Sequence, residues 1–124
     1  MTAMLKPSTA AFRGYQNYVL FSPESGRAKV GITADLRSRL RYYRQESRRN
    51  GLGYVAMEGG APQQLGIARL VKTELCRALK SHSLPGHGNW VKTDADGFMA
   101  LVAMTRRFQN DILVALGEVE TDRA

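Results

Sequence analysis

Residues 17–40 read NYVLFSPESGRAKVGITADLRSRL, and the punctuation of this stretch governs how the chain folds. Gln16–Ser22 is a short strand-forming run through Tyr18-Val19-Leu20-Phe21, Pro23-Glu24-Ser25-Gly26 is a turn, and Arg27–Thr33 is a second run carried by Ala28, Val30 and Ile32. Two such runs about a Pro/Gly turn predict an antiparallel hairpin. A helix should follow at once, with Thr33 to cap it and Asp35 favourable in its first turn, and it should stop at Asn50-Gly51.

Beyond the hairpin and its helix, Leu52–Glu58 reads as a third short strand ended by Gly59-Gly60. Pro62 suits the first turn of a second helix reaching about Ser81, and SLPGHGNW (83–90) reads as a loop. Asp94 or Asp96 should cap a third helix from roughly Gly97 to Leu116, with Phe98, Leu101, Val102, Thr105, Phe108 and Ile112 on one face. The expected fold is therefore α/β of the α+β kind: a small three-stranded, mainly antiparallel sheet flanked by three helices. Residues 1–14 read as a flexible leader, 15–117 as one domain and 118–124 as a frayed tail.

The chain has 124 residues, 44% of them apolar, enough for one core. No apolar run approaches the ~18–20 residues that span a bilayer, and residues 1–14 lack the apolar centre of a secretory signal. Cys76 is the single cysteine, which excludes an internal disulfide or a multi-cysteine zinc site. These features point to an intracellular, cytoplasmic chain that does not enter a membrane. The net charge of +7 and a pI near 10.0 favour a densely negative partner, nucleic acid or an anionic membrane surface, over a basic protein that is merely soluble.

The first helix separates two kinds of arginine. At ~100° per residue, Leu36, Leu40 and Tyr43 share a narrow arc that should face the sheet. Arg37, Arg41, Arg44 and Arg48 cluster on one side of it, either as a solvated basic face or as a stripe along a phosphate backbone. Arg39 falls on the opposite flank of the arc, where a guanidinium needs an anion. On the second helix Ile67, Val71, Leu75 and Ala78 form the apolar face with Leu70 at its edge. Glu74 falls between Leu70 and Ile67, inside that face, where it should not be solvated like an ordinary helix glutamate. Two readings of Glu74 stand side by side: an ion pair with Arg39 locking the helices together, or a carboxylate holding a divalent cation beside a phosphate. His82 and His87 lack further ligands, Cys76 reads as lying off the apolar face, and Trp90 is expected to pack beneath the start of the third helix.

Taken together, these positions resemble the GIY-YIG nuclease superfamily, in its short phage- and bacterial-type branch. Gln16-Asn17-Tyr18 stands at the GIY triplet and Lys29-Val30-Gly31 at YIG; Arg39 follows Gly31 by eight residues, and Tyr43 takes the usual His/Tyr place. Glu74 lies on the later helix, and Asn89-Trp90 resembles the motif that closes the module. The likeness spans about Tyr18 to Val91. It departs from the family where Gly and Ile of GIY are missing and where Lys29 replaces the YIG tyrosine.

The resemblance implies a divalent-metal-dependent endonuclease acting on DNA, with RNA left open. Glu74 would anchor one Mg²⁺ or Mn²⁺, and Arg39 would offset charge on the phosphorane. Tyr18 would orient or deprotonate water, with Lys29 and Tyr43 around the phosphate and Asn89 at the nucleic-acid surface. Specificity would come from a homodimer, a protein partner or nucleic-acid shape. The competing readings are a non-catalytic nucleic-acid-binding module of the same fold, and an interaction protein in which Arg39 and Glu74 form only a strut.

Overall fold

The computed structural model describes residues 14–50, 53, 55–82 and 90–117. The expected leader (but for Gly14), the tail and Asn89 lie outside them. The hairpin forms as expected: β1 (Gln16–Ser22) pairs antiparallel with β2 (Arg27–Thr33), in a register that sets Tyr18 opposite Gly31 and Leu20 opposite Lys29. Gly26 closes the turn at φ +67°, a left-handed conformation that glycine adopts without strain.

Helix α1 (Leu36–Asn50) follows. Its cap is Asp35 rather than Thr33. Asp35 Oδ1 accepts from the Ser38 amide at 3.1 Å, while Thr33 Oγ1 accepts from the Asp35 amide just outside the helix. The bonds from Ser38 hold the Asp35 carboxyl below its ordinary value.

Strand β3 (Ala56–Gly59) pairs antiparallel with β1. Helix α2 begins at Leu65, later than Pro62 suggested, because residues near Pro62 remain extended and Gln63 bridges to Tyr15. It ends at Ala78, and a short 3-10 turn covers Lys80–His82. Helix α3 (Ala95–Ala115) starts two residues before the expected Gly97, capped by Asp94, whose Oδ1 accepts from the Gly97 amide at 2.8 Å.

The sheet has four strands in the order β3-β1-β2-β4, all antiparallel, so the α/β architecture stands with one strand more than expected. The addition is β4 (Trp90–Lys92), laid along the free edge of β2. Three residues are too short to show a period of two, and pairing with β2 is what extends them.

Alternation along β1 and β2 divides the core. Val19, Phe21, Ala28 and Val30 pack on Val71 and Leu75 of α2 and on Phe98, Leu101 and Val102 of α3. Tyr18 and Leu20 point the other way, onto Tyr43, Leu36 and Leu40 of α1, with Val55, Met57 and Trp90. One face of the sheet thus carries α1, and the other carries α2 and α3. Asn17 ties β1 to α2 by donating from Nδ2 to the Ala68 carbonyl at 2.9 Å. No helix among the described residues is long and apolar enough to cross a membrane.

Candidate active site and nucleic-acid interface

Four of the five candidate catalytic side chains gather on the α1 face. Tyr18 is 4% exposed and Tyr43 7%, and their hydroxyls share a hydrogen bond of 3.0 Å in which either can donate. The Tyr18 ring crosses to β2 and lies against Gly31, where a methyl group would fall on its Cζ and Oη atoms. The glycine is therefore required by the tyrosine's position, not by backbone conformation.

Burial, reinforced by the hydrogen bond and proximity to Tyr43, raises the Tyr18 phenol well above its ordinary value, while the charge of Arg39 opposes the rise. At neutral pH Tyr18 is a protonated hydroxyl that can orient water; it is not a resident base. Lys29, on the same face of β2, carries its ammonium 5.6 Å from the Tyr43 ring centre and 5.8 Å from that of Trp90. Arg39 is half-buried, as its helical phase predicted, and its guanidinium stands 5.6 Å from the Tyr42 ring centre. Neither Lys29 nor Arg39 forms an ion pair with an acidic group among the described residues.

Glu74 does not join them. It sits on α2, beyond the opposite face of the sheet, in a cleft of about 350 Å³ lined also by Leu70, Phe108, Asp111, Ile112 and Ala115. Its side chain is 43% exposed and is bonded to Arg77 at 2.6 Å. The expected burial of Glu74 in the apolar face is thus corrected, and so is the strut to Arg39. Its neighbour Leu75 takes the core position, leaving Glu74 on the rim between α2 and α3.

The donor set therefore does not fit a Mg²⁺ or Mn²⁺ ion beside Tyr18. Glu74 faces the other layer, and no group of three or more His, Cys, Asp or Glu side chains converges among the described residues. Asp35 is the acidic residue that shares a surface hollow with Arg39, and its oxygens are bonded to Ser38.

Arg37, Arg41, Arg44 and Arg48 are all exposed on α1, so the stripe is presented to solvent as its phase requires. Two expectations fail. Trp90 lies on the α1 face instead of beneath α3, because β4 pairs so that Trp90 stands opposite Lys29. Cys76 is partly buried against the core between the sheet and α2/α3.

Sequence reasoning also missed Arg27, whose guanidinium lies 4.6 Å from the Trp90 ring centre. Strand parity links Arg27, Lys29 and Gly31 on one face and was the signal available for it. Comparison with models of protein families, with curated proteins and with solved structures finds no match for the chain.

Proposed function

We propose that the chain binds nucleic acid across its α1 face and hydrolyses a phosphodiester at Tyr18, as its resemblance to the GIY-YIG nucleases implies. One observation carries this reading. Tyr18, Tyr43, Lys29 and Arg39 share a face on which the described acids leave both cations without an ion pair. Half-buried cations without carboxylate partners favour an incoming anion, and the exposed arginine stripe beside them extends that field along a backbone.

In this scheme a phosphate oxygen meets the Arg39 guanidinium and the Lys29 ammonium, which offset negative charge as the phosphorane forms. The Tyr18 hydroxyl, fixed by Tyr43 and by the wall at Gly31, orients the attacking water. As the water oxygen bonds to phosphorus the ester P–O bond opposite breaks, the water's proton passes to bulk solvent and the departing oxygen takes a proton from solvent. Preorganisation of the phenol is the contribution that the geometry supports best, since its depth leaves it little rotational freedom. No step is assigned to Glu74 or to a metal.

The placement of Glu74 favours a second reading, in which the chain binds nucleic acid without cutting it. An assay on linear, nicked and branched DNA and on RNA, with Mg²⁺, with Mn²⁺ and with EDTA, separates the two. Cleavage that is lost in folded Tyr18→Phe and Arg39→Ala variants supports hydrolysis. Binding that weakens on substitution of Arg37, Arg41 and Arg44, with no cleavage of any substrate, leaves the binding module. Failure to bind any nucleic acid at low salt overturns both.

A further inference from the structure

The α1 face does not end at Lys29. Arg27 begins β2 on the same side, and its guanidinium lies over Trp90. The Arg27 Nε is buried and has no hydrogen-bond partner among the described residues. A buried N–H that finds no acceptor is costly, and here it belongs to a fork suited to phosphate. Arg27 also makes no ion pair among the described residues.

Lys29 connects this group to the Tyr18 cluster. Its ammonium stands between the Trp90 and Tyr43 rings, so cations and rings alternate from Arg27 through Trp90, Lys29 and Tyr43 towards Tyr18. Same-face residues of a strand are spaced by about 7 Å, a step comparable to that between successive phosphates of a nucleic-acid strand.

We propose that Arg27, in cation–ring contact with Trp90, is a second phosphate subsite that binds the phosphate next to the one held by Lys29 and Arg39 at Tyr18, so that a single nucleic-acid strand runs along β2. This rests on the α1 face being a nucleic-acid interface and adds to it a direction and a minimal ligand. The backbone follows β2 from Arg27 to Lys29, one same-face step, and the site is filled by two adjacent phosphates. With its guanidinium carbon 4.6 Å from the Trp90 ring centre, Arg27 has an aromatic contact that can favour one placement of its fork without neutralising its charge.

Trp90 is the single tryptophan of the chain, so its fluorescence reports on this subsite without a label. Titration of the full chain with a short oligothymidylate at low salt should change the Trp90 emission and give a Kd. Arg27→Ala should weaken that Kd by roughly tenfold and lower the magnitude of the log–log salt slope by about 0.7, the single-strand value for one phosphate left unneutralised. Arg27→Lys retains the charge without the fork, so its salt slope should stay near wild type while its Kd falls between the two. A nucleoside bisphosphate should perturb the emission more strongly than the corresponding monophosphate.

An oligothymidylate that binds wild type with stripe-dependent affinity, while Trp90 emission and the Arg27→Ala Kd stay unchanged, overturns the subsite and leaves the interface standing. An equal response to inorganic phosphate and to the oligonucleotide overturns the strand path. No binding of nucleic acid at all removes the interface, and the subsite with it.

Discussion

Tyr18 and Val19 are neighbours in sequence and head opposite faces of one sheet. On the Val19 face, Phe21 stacks on Phe98 at 5.0 Å between ring centres, and Val71 and Leu75 are fully buried. Glu74, one of the acids of that layer, stands at the rim and is paired. On the Tyr18 face the buried residues include two hydroxyls, and half-buried cations lie on aromatic rings without carboxylate partners among the described residues. The first face is built for stability. The second leaves an electrostatic demand that an anionic ligand meets.

The largest difference should appear on truncation. Leu75→Ala removes a fully buried side chain between the sheet and α2, and should cost about 2–5 kcal/mol in urea unfolding. Leu40→Ala, at a partly buried site on α1, should cost clearly less. Equal costs would erase the distinction between a stabilising face and a binding face. Gly31→Ala should cost about 1–3 kcal/mol by overpacking, because the new methyl group displaces the Tyr18 ring. The proposed hydrolysis should fall with it, while Gly66→Ala, where nothing approaches, serves as the control.

Tyr18→Phe probes the binding face through pH. It should cost roughly 1 kcal/mol at neutral pH, since it leaves the Tyr43 hydroxyl buried without its partner. The folded-state pKa of Tyr18 is raised, so its linked stability is fully present below the ordinary phenol value of about 10. That stability is lost as pH climbs from there towards the folded value, because the unfolded chain releases its proton first. Thermal melting between neutral pH and alkali should therefore fall less steeply in Tyr18→Phe than in wild type. A parallel decline would mean that Tyr18 is not the buried titrating group.

Substituting glutamine for Arg37, Arg41 and Arg44 should change stability by no more than about 0.5 kcal/mol each. Nucleic-acid affinity should fall, and the salt slope on duplex DNA should shrink by about 0.9 for each phosphate that is no longer neutralised. The smallest effect is expected for Glu74→Gln, whose exposed pair with Arg77 should contribute about 0.3–0.5 kcal/mol and whose loss should leave nucleic-acid affinity unchanged. Cleavage abolished in a folded Glu74→Gln protein would show that this carboxylate works on the Tyr18 face after all, and would undo the division between the two faces.

The elements set by local chemistry were legible in the sequence. The hairpin turn, the existence of α1 just after the hairpin and the half-buried phase of Arg39 each depend on residues within one or two turns of one another. The caps were legible only in part: the sequence points to Thr33 where Asp35 caps α1, and to Asp94 or Asp96 where Asp94 caps α3. β4 was not legible, because a three-residue strand takes its conformation from its partner. With it went the side on which Trp90 lies, and so the pairing of Trp90 with Arg27.

Glu74 shows the same limit most clearly. Helical phase placed it inside an apolar face, whereas it lies on the rim with its side chain 43% exposed, and phase says nothing about which side of the sheet that helix covers. Residue order alone was enough to put Tyr18, Lys29 and Gly31 in one hairpin and to turn Arg39 inward from the arginine stripe. That α1 and α2 lie on opposite faces emerged only in three dimensions. A strand has two sides of equal standing, and the choice between them is made by the packing of the whole chain.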